Sequence, residues 1–381
     1  MSRVVAAGTF DRKFGRNVRL ISLLERAGHE VVLCQSDIFG STKYDIVRGG
    51  KGSMLVRGLV AYPRVVWRLV RTPRADAVLT MYPGWFDTIV LAPVARLRST
   101  PLIFDIYISL SDTIVSDRQI ASKHSVVGRI SRLVDWLSLR GARRVLADTP
   151  EHGDLYADLG GIARDRIGVV WVGADDDVFR PRPEITPDPK RVLFYGTYIK
   201  LHGIDVIVRA AKLLEDDGIE FQIIGNGQER TNIEHLMQEL QVSNIELTDS
   251  VPLEELPAEI ASSALCCGIF GTSEKVQRVV PNKVFECIAV GRPVVTADTP
   301  AVRRVFTDSE IALVPPGDPQ SLADVIRDLL KDGERREAMA DAAHRHYVAA
   351  YATDAITEQL ERELSTAIEA ERSRRRSIRR R

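Results

Sequence analysis

The amino-acid sequence predicts an α/β protein built from two similar doubly wound domains. A strand–turn–helix–strand unit with a Gly-Thr-aromatic turn, and with Gly-x-Glu leading into its second strand, opens each half of the chain. Between the halves, four prolines fall within the nine residues from Pro181 to Pro189, which is typical of a stiff extended linker. A chain of 381 residues is also too long for one ordinary core.

The periodicity of apolar residues predicts the strands and helices of the first half. Its copy of the repeated unit comprises a strand at residues 4–7, a turn at 8–10, a helix at 16–26 and a strand at 30–34, with Gly28 ending the helix. Four further strands are expected, at residues 77–80, 101–105, 143–148 and 168–172. We therefore predict that residues 1–182 form the first domain.

The second half repeats the pattern. The second copy places a strand at residues 192–195, a turn at 196–198, a helix at 204–214 and a strand at 220–224. The remaining strands are predicted at residues 245–247, 265–270, 293–297 and 311–314. The sequence thus predicts a second domain over residues 190–345, a helix at 346–371 that crosses back to the first domain, and a disordered basic tail at 372–381.

Bulk composition excludes several classes of protein. Apolar residues make up 45% of the chain, and the 52 basic and 52 acidic side chains balance, so no nucleic-acid partner is expected. No apolar run approaches a membrane span. The four cysteines lack metal-site spacing and are expected to be reduced in a cytoplasmic protein. The seven histidines are scattered, and Walker, Gly-x-Ser-x-Gly and His-Glu-x-x-His motifs are absent, so no metal is predicted.

Positive charge is concentrated in two segments. Residues 48–74 contain seven basic residues and no acidic residue, and residues 373–381 contain six arginines. Apolar residues interleave with the arginines of the first segment. This pattern is typical of an interfacial helix on anionic lipid, and equally of a surface helix with an apolar core face.

Ligands of open α/β sheets bind beyond the carboxyl ends of the strands, and the 196–203 turn lies at such an end. The turn begins at Gly196, ends at Gly203 and opens a helix, so its backbone N–H groups can hold a phosphate. Thr197 offers a hydroxyl, and Lys200 or His202 can add charge. The alternative is an ordinary βα turn.

Three more strand ends in the second half carry candidate residues. Gly225 and Gly227 form a second glycine-rich turn, and Lys275 follows another strand. In the helix predicted to begin at Pro281, Glu286 is a lone carboxylate among apolar residues and needs a partner. That partner is either Lys283, one turn earlier, or the hydroxyls of a ligand.

In the first half, Asp105 closes a strand and a dense polar run follows it. This run includes Asp112 and Arg118, and it is either a functional loop or a solvated loop with helix caps.

Taken together in this order, five motifs make the chain resemble the retaining, nucleotide-sugar-dependent GT-B-fold glycosyltransferases of family 4. The motifs are residues 194–203 (Phe-Tyr-Gly-Thr-Tyr-Ile-Lys-Leu-His-Gly), 223–228 (Ile-Ile-Gly-Asn-Gly-Gln), 268–271 (Gly-Ile-Phe-Gly), 281–286 (Pro-Asn-Lys-Val-Phe-Glu) and 291–295 (Gly-Arg-Pro-Val-Val). The resemblance implies two Rossmann-like domains facing a central cleft. It also implies transfer of a sugar from a nucleotide-diphosphate donor in the second domain to an unknown acceptor hydroxyl in the first. Such chemistry serves cell-surface polysaccharide, glycolipid or natural-product glycoside synthesis.

The resemblance also assigns roles. The carboxylate of Glu286 is expected to accept hydrogen bonds from the donor's ribose. The other donor-binding residues are expected to be Gly196, Thr197, His202, Gly203, Gly225, Gly227, Arg278, Asn282 and Lys283. The catalytic candidates are Asp105, Lys200 and Lys275. The acceptor-side candidates are Gly8, Thr9, Arg16, Asn17, Asp112 and Arg118.

The chain also departs from the family pattern. Where many members have a second glutamate it has Arg278, and where many have an arginine and a lysine in the first turn it has Thr197 and His202. Charge for the leaving diphosphate must then come from Lys200, Lys275, Arg278 or Lys283, without a metal. The alternatives are a nucleotide-sugar epimerase of the same fold and a non-catalytic nucleotide-sugar-binding protein.

Overall fold

The computed structural model describes residues 1–36, 51–117 and 121–379. The chain divides into two compact units, Met1–Trp171 together with Ile356–Arg381, and Val172–Ala355. Each unit contains a six-stranded, wholly parallel sheet. The predicted α/β class and the two doubly wound sheets are therefore confirmed.

The first unit is ordered β2-β1-β3-β4-β5-β6 across its sheet. Its strands are β1 (Arg3–Gly8), β2 (Glu30–Gln35), β3 (Ala77–Thr80), β4 (Leu102–Asp105), β5 (Arg144–Ala147) and β6 (Ile167–Val169). Its helices up to β6 are α1 (Gly15–Arg26), α2 (Lys51–Arg71), α3 (Trp85–Leu97), α4 (Val126–Gly141) and α5 (Pro150–Gly160), with a short π-helical turn at Asp112–Asp117 and a 3₁₀ turn at Arg164–Arg166.

Alternation along β4 shows how helices cover the two faces of this sheet. Ile103 lies in a core with Leu20 of α1, whereas Leu102 packs with Leu91 of α3 and Phe104 packs with Leu139 of α4. The core on the α1 side also contains apolar residues of the C-terminal helix, among them Ile356, Leu360, Leu364 and Ile368.

The second unit is ordered β12-β11-β10-β7-β8-β9. Its strands are β7 (Asp188–Tyr195), β8 (Glu220–Ile224), β9 (Ile245–Thr248), β10 (Ser263–Cys267), β11 (Val294–Ala297) and β12 (Ala312–Val314). Its helices are α6 (Ile204–Leu213), α7 (Arg230–Leu240), α8 (Leu256–Ala261), α9 (Asn282–Ala289), α10 (Pro300–Val305), α11 (Pro319–Lys331) and α12 (Gly333–Ala350), with 3₁₀ turns at Lys200–His202, Glu215–Asp217 and Glu274–Arg278. The duplicated units of the sequence are β1–α1–β2 and β7–α6–β8, and each pairs its two strands directly.

The C-terminal helix α13 (Thr353–Arg379) is separate from α12, although the sequence predicts one helical segment over both. The backbone N–H of Thr353 donates to Asp176 Oδ2 at 2.6 Å, and Tyr347 in α12 donates to the same carboxylate. Asp176 therefore bonds to both helices where α12 ends and α13 begins. Because these contacts tie the segment after β6 to α12, the second unit begins at Val172, before the proline-rich stretch.

One prediction about the basic segments needs correction, and the alternatives for the other stay open. Helix α13 continues through residues 372–379, so a disordered tail is wrong for the described residues; Arg374 bridges Glu371 at 3.0 Å and supports the helix. In α2, Val65 and Leu69 are buried in the core, while Trp67 and Val70 are more than half exposed. Arg48 and its neighbours up to residue 50 lie outside the described residues. None of the helices in the described part of the chain is long and apolar enough to cross a membrane.

Candidate functional site

The second unit has its topological switch point between β7 and β10, where the strand order reverses. Ligands of open α/β sheets bind at such a point, beyond the carboxyl ends of the strands. The 196–203 turn follows β7, and residues 268–271 follow β10. The backbone N–H of Phe270 donates to the carbonyl of His202 at 3.0 Å, so the two strand ends are joined there.

Parallel pairing sets the neighbour of this turn. Tyr195 lies opposite Ile224 in the β7–β8 register, which brings Gly196 beside Gly225. Gly225 has φ of +138°, and a Cβ built on it would lie 2.0 Å from the carbonyl oxygen of Gly196. The two predicted glycine-rich turns thus form one tightly packed edge, with the N–H of Gly227 donating to Asn226 Oδ1 at 2.7 Å.

Glu286 is held by a partner that the sequence did not indicate. The hydroxyl of Tyr195, the last residue of β7, donates to Glu286 Oε2 at 2.6 Å. Burial raises the pKa of Glu286, and the bond from Tyr195 and the charge of Lys283 oppose that rise. Tyr195 is the one hydrogen-bond donor to this carboxylate within the described residues, and Glu286 remains partly exposed, so Oε1 can accept from a ligand.

Lys283 does not pair with Glu286. Its side chain is buried, its ammonium lies 3.7 Å from the centre of the Phe194 ring, and no described residue forms a hydrogen bond with it. Burial lowers the pKa of Lys283 to about 7, with the nearby thiols and Glu286 acting in the opposite direction. A Cβ on Gly196 would lie 3.0 Å from its Nζ, so the ammonium lies directly against the glycine turn.

A buried ammonium without an acceptor is unfavourable for folding. The Phe194 face compensates only in part, because a cation–π contact is worth about 0.5–2 kcal/mol. The first turn of α9 adds unsatisfied donors, since Pro281 at its N-cap provides no side-chain cap and the turn contains no acidic residue. The arrangement therefore favours an anion at the 196–203 turn.

His202 lies beside the same turn but does not supply charge. Burial, together with the positive charges of Lys283 and Lys275, holds the pKa of His202 well below its usual value. These effects favour the neutral imidazole in the unliganded protein, which argues against the expectation that His202 adds charge for a diphosphate. Its Nδ1 has no hydrogen-bond partner among the described residues and can donate or accept.

The other predicted donor-side residues surround this group. Thr197, Lys200 and Asn282 are exposed, and Lys275 is buried in the 3₁₀ turn that also contains Arg278. Gly203 has φ of +62° and packs against the backbone of residues 270–271. The catalytic roles of Lys200 and Lys275 stay predictions.

In the first unit, the predicted acceptor-side residues are tied into their own loops. The N–H and hydroxyl of Thr9 donate to Asp87 at 2.8 and 2.9 Å, and Gly8 lies against the same carboxylate. Burial raises the pKa of Asp87 to about 6. Asn17 donates to the carbonyls of Asp11 and Tyr82, at 2.9 and 2.6 Å.

The structure argues against Asp105 as a catalytic base. Its carboxylate is fully buried, and Arg16, which is also buried, donates to Oδ1 at 2.8 Å. Arg16 and Asp105 thus form a buried ion pair that occupies the acid predicted to act on substrate. Asp112 is buried, with its N–H donating to Ser109 Oγ at 3.0 Å, and Arg118 lies outside the described residues.

Sequence reasoning missed a second acidic group at the end of β5. His152 Nδ1 lies 2.7 Å from Asp148 Oδ1, both side chains are buried, and the imidazole stacks on the Tyr156 ring. Despite burial, the charges of His152 and Arg16 lower the pKa of Asp148. The sequence did contain a signal for this pair. Asp148 directly follows a strand and His152 comes four positions later, a spacing at which two side chains can meet on one helical turn.

No group of three or more histidine, cysteine or acidic side chains that could hold a metal occurs among the residues that the structure describes. All four cysteines are buried and unpaired, as expected from their spacing.

Comparison with known families gives matches to both units. The family described as "Glycosyl transferases group 1" matches residues 175–346, and the family described as "Glycosyl transferase 4-like domain" matches residues 16–173.

Individual relatives agree with these families. The D-inositol 3-phosphate glycosyltransferase of Paenarthrobacter aurescens is 26% identical over 72% of this chain and 68% of its own length. The alpha-D-kanosaminyltransferase of Streptomyces kanamyceticus is 24% identical over 70% of this chain and 71% of its own. Among solved structures, Anabaena Alr3699/HepE in complex with UDP superposes with a TM-score of 0.72 at 15% identity, covering 96% of this chain and all of that one.

Proposed function

This chain belongs to the GT-B-fold glycosyltransferases of family 4 and is a nucleotide-sugar-dependent transferase, and from that premise we propose how its two units divide the reaction. The second unit binds the donor at the 196–203 turn, with Glu286 at the ribose and Lys283 at the diphosphate. The first unit binds the acceptor. The bond between the anomeric carbon and the diphosphate oxygen breaks, and a bond to an acceptor oxygen forms with retention.

The observation that supports this proposal best is the buried ammonium of Lys283. The leaving diphosphate develops negative charge, and a fixed cation stabilises it most strongly where water is excluded. Lys283 lies against Gly196, at the switch point, with no hydrogen-bond partner in the described part of the chain. Its four-carbon stem allows the ammonium to turn from the Phe194 ring toward a phosphate oxygen.

Glu286 completes the donor site. One carboxylate oxygen is fixed by Tyr195, and the other is open to the paired hydroxyls of a ribose. A ligand hydroxyl that donates to a carboxylate contributes about 1.5–3 kcal/mol, so its loss lowers affinity roughly 10- to 150-fold.

A two-step experiment tests the assignment of Glu286. Thermal unfolding with a panel of nucleoside diphosphates first identifies the base, with UDP as the leading probe because the Alr3699/HepE neighbour was solved with UDP. Calorimetry then compares that diphosphate with its 2′-deoxy form. We expect wild type to prefer the ribose form, and Glu286→Gln to lose this preference while still binding inorganic pyrophosphate.

The control is Glu239→Gln, which changes an exposed acid on α7. It should leave both affinities unchanged. An undiminished ribose preference in Glu286→Gln would contradict the assignment.

We also propose that transfer needs no metal ion, because Lys283 and the uncapped first turn of α9 offer positive charge to the leaving group. Turnover of nucleotide sugar should change by less than about twofold when EDTA replaces added magnesium. A loss of turnover that magnesium restores would overturn this part of the proposal. Retention is tested by NMR, as the same anomeric configuration in the donor and in the first-formed product.

Finally, we propose that the protein acts on the cytoplasmic face of a membrane as a peripheral protein. The unpaired cysteines suit a reducing compartment. On α2, the exposed Trp67 and Val70 lie beside Arg68 and Arg71, a combination that suits an anionic lipid surface.

A further inference from the structure

Helix α4, Val126–Gly141, turns most of its large apolar side chains away from the protein. Six apolar residues of this helix are between 39% and 72% exposed: Val126, Val127, Ile130, Leu133, Trp136 and Leu137. The face that it buries is instead composed mainly of small and polar residues: Gly128, Ser131, Val134, Asp135, Ser138 and Leu139. A surface helix of a globular protein normally shows the opposite arrangement.

The buried face of α4 accounts for why the helix stays in place. Asp135 accepts from the Ser109 hydroxyl at 2.8 Å and from the backbone N–H groups of Leu110 and Ser111 at 3.0 and 2.8 Å. Gly141 approaches Ala92 of α3 closely enough that a Cβ would lie 3.3 Å from the alanine methyl. Polar bonds and close contact thus hold the helix, and its outer apolar stripe belongs to none of the hydrophobic cores formed by the described residues.

The charge on the outer face has one sign. Arg129, Arg132 and Arg140 are exposed on α4, and Lys123 and Arg143 flank it. The one acid of the helix, Asp135, is turned inward. The Arg140 guanidinium lies 4.6 Å from the centre of the Trp136 ring, so a cation and an aromatic side chain share the same surface.

Neighbouring helices extend this surface. Helix α2 packs against α3, and α3 packs against α4, on one face of the sheet. Leu97, at the end of α3, is 87% exposed, and on α2 the Arg71 guanidinium lies 4.1 Å from the centre of the exposed Trp67 ring.

We propose that the outer face of α4 is a docking surface for an anionic lipid bilayer, with α2 as its flank. Apolar side chains with a tryptophan would enter the boundary between headgroups and acyl chains, while arginines contact lipid phosphates. A second copy of this chain is disfavoured as the occupant, because two faces rich in arginine and without an exposed acid on the helix repel each other. Membrane docking does not depend on the sugar-transfer reaction, because it is measured as binding of the protein to lipid vesicles.

The test uses the full chain and vesicles of phosphatidylcholine with and without phosphatidylglycerol. Wild type should sediment with the anionic vesicles and remain in solution with neutral ones. The variant Leu133→Gln/Trp136→Gln should bind at least about tenfold more weakly, because two apolar side chains no longer leave water. The matched control is Leu253→Gln/Val348→Gln, which removes similarly exposed apolar side chains from the second unit and should bind like wild type.

Two further measurements keep the result interpretable if a variant folds poorly. Brominated anionic lipid should quench the fluorescence of wild type more than that of Trp136→Phe. Arg129→Gln/Arg132→Gln should weaken binding to anionic vesicles and reduce its dependence on salt.

Four outcomes would overturn the proposal: no binding of wild type to anionic vesicles, equal binding to neutral ones, equal loss in the control variant, or a wild-type dimer that Leu133→Gln/Trp136→Gln dissociates in the absence of lipid. The last would identify the face as a contact between protein chains.

Discussion

On the proposed assignment, Lys283 makes the binding of a nucleoside diphosphate a proton-linked event. Burial lowers the pKa of Lys283 to about 7 in the unliganded protein. A phosphate oxygen beside the ammonium favours its charged form, so binding raises this pKa. The protein should therefore take up a proton when UDP binds at a pH above the unliganded pKa.

The size of this uptake follows from the titration curve. With a pKa of about 7, roughly nine-tenths of Lys283 is unprotonated at about pH 8, and only about one-tenth at about pH 6. We expect Lys283 to take up about 0.9 proton per UDP at the higher pH and about 0.1 at the lower. At the lower pH the terminal phosphate of UDP, with a second pKa of about 6, also releases protons on binding. Because binding takes up a proton, the affinity for UDP should fall as the pH rises, by up to about tenfold for each pH unit above about 7.

Calorimetry of UDP binding in two buffers with different ionisation enthalpies measures the uptake directly. Lys283→Met removes the titrating group, so it should abolish the uptake and weaken binding at low pH more than at high pH. The pKa of His202 is held well below its usual value in the unliganded protein, so His202 is expected to contribute less than Lys283. An uptake below about 0.2 proton at about pH 8, or one that persists in Lys283→Met, would refute the role of Lys283 at the diphosphate.

Two further predictions concern the frame around the sites. Asp105→Asn leaves the buried charge of Arg16 without its partner, so it should destabilise the first unit by about 3–5 kcal/mol in chemical denaturation. The double variant Arg16→Met/Asp105→Leu should recover most of that loss. An Asp105→Asn variant that is inactive but fully stable would instead support Asp105 as a catalytic base. Gly225→Ala should abolish UDP binding because its methyl meets the carbonyl of Gly196, while Gly291→Ala, also at positive φ but with open space around its Cβ, should keep UDP affinity near wild type.

Much of the fold was predictable from local patterns. Each of the twelve strands in the described residues overlaps a predicted apolar segment, although β7 begins at Asp188, inside the stretch predicted to be a linker. Pro281 and Gly291 bound α9 as their conformational preferences require. The separation of α12 from α13 was not predictable, because it depends on Asp176, which is distant in sequence and accepts from the N–H of Thr353. Helical periodicity reports on neighbours along the chain and not on such contacts.

The sequence predicted which residues the fold brings together at the switch point, but not their ionisation states. The motifs around Gly196 and Glu286 named these residues, and their roles stay predictions; a sequence does not show burial. Burial is what favours the neutral form of His202 and what places Lys283 on an aromatic ring instead of in an ion pair with Glu286. The same reason explains why the sequence suggested Asp105 as a catalytic base. An aspartate at the end of a strand gives the same sequence pattern whether it faces a ligand or a buried arginine.

The return of the chain to the first unit also sets an order of folding during synthesis. That unit is interrupted after Trp171 and resumes at Ile356, so a growing chain that has reached Ala355 already contains all of the second unit. One face of the first sheet still lacks Ile356, Leu360 and Leu364 at that stage. The second unit is therefore complete on the ribosome first, and the first unit keeps an open apolar face until helix α13 is made.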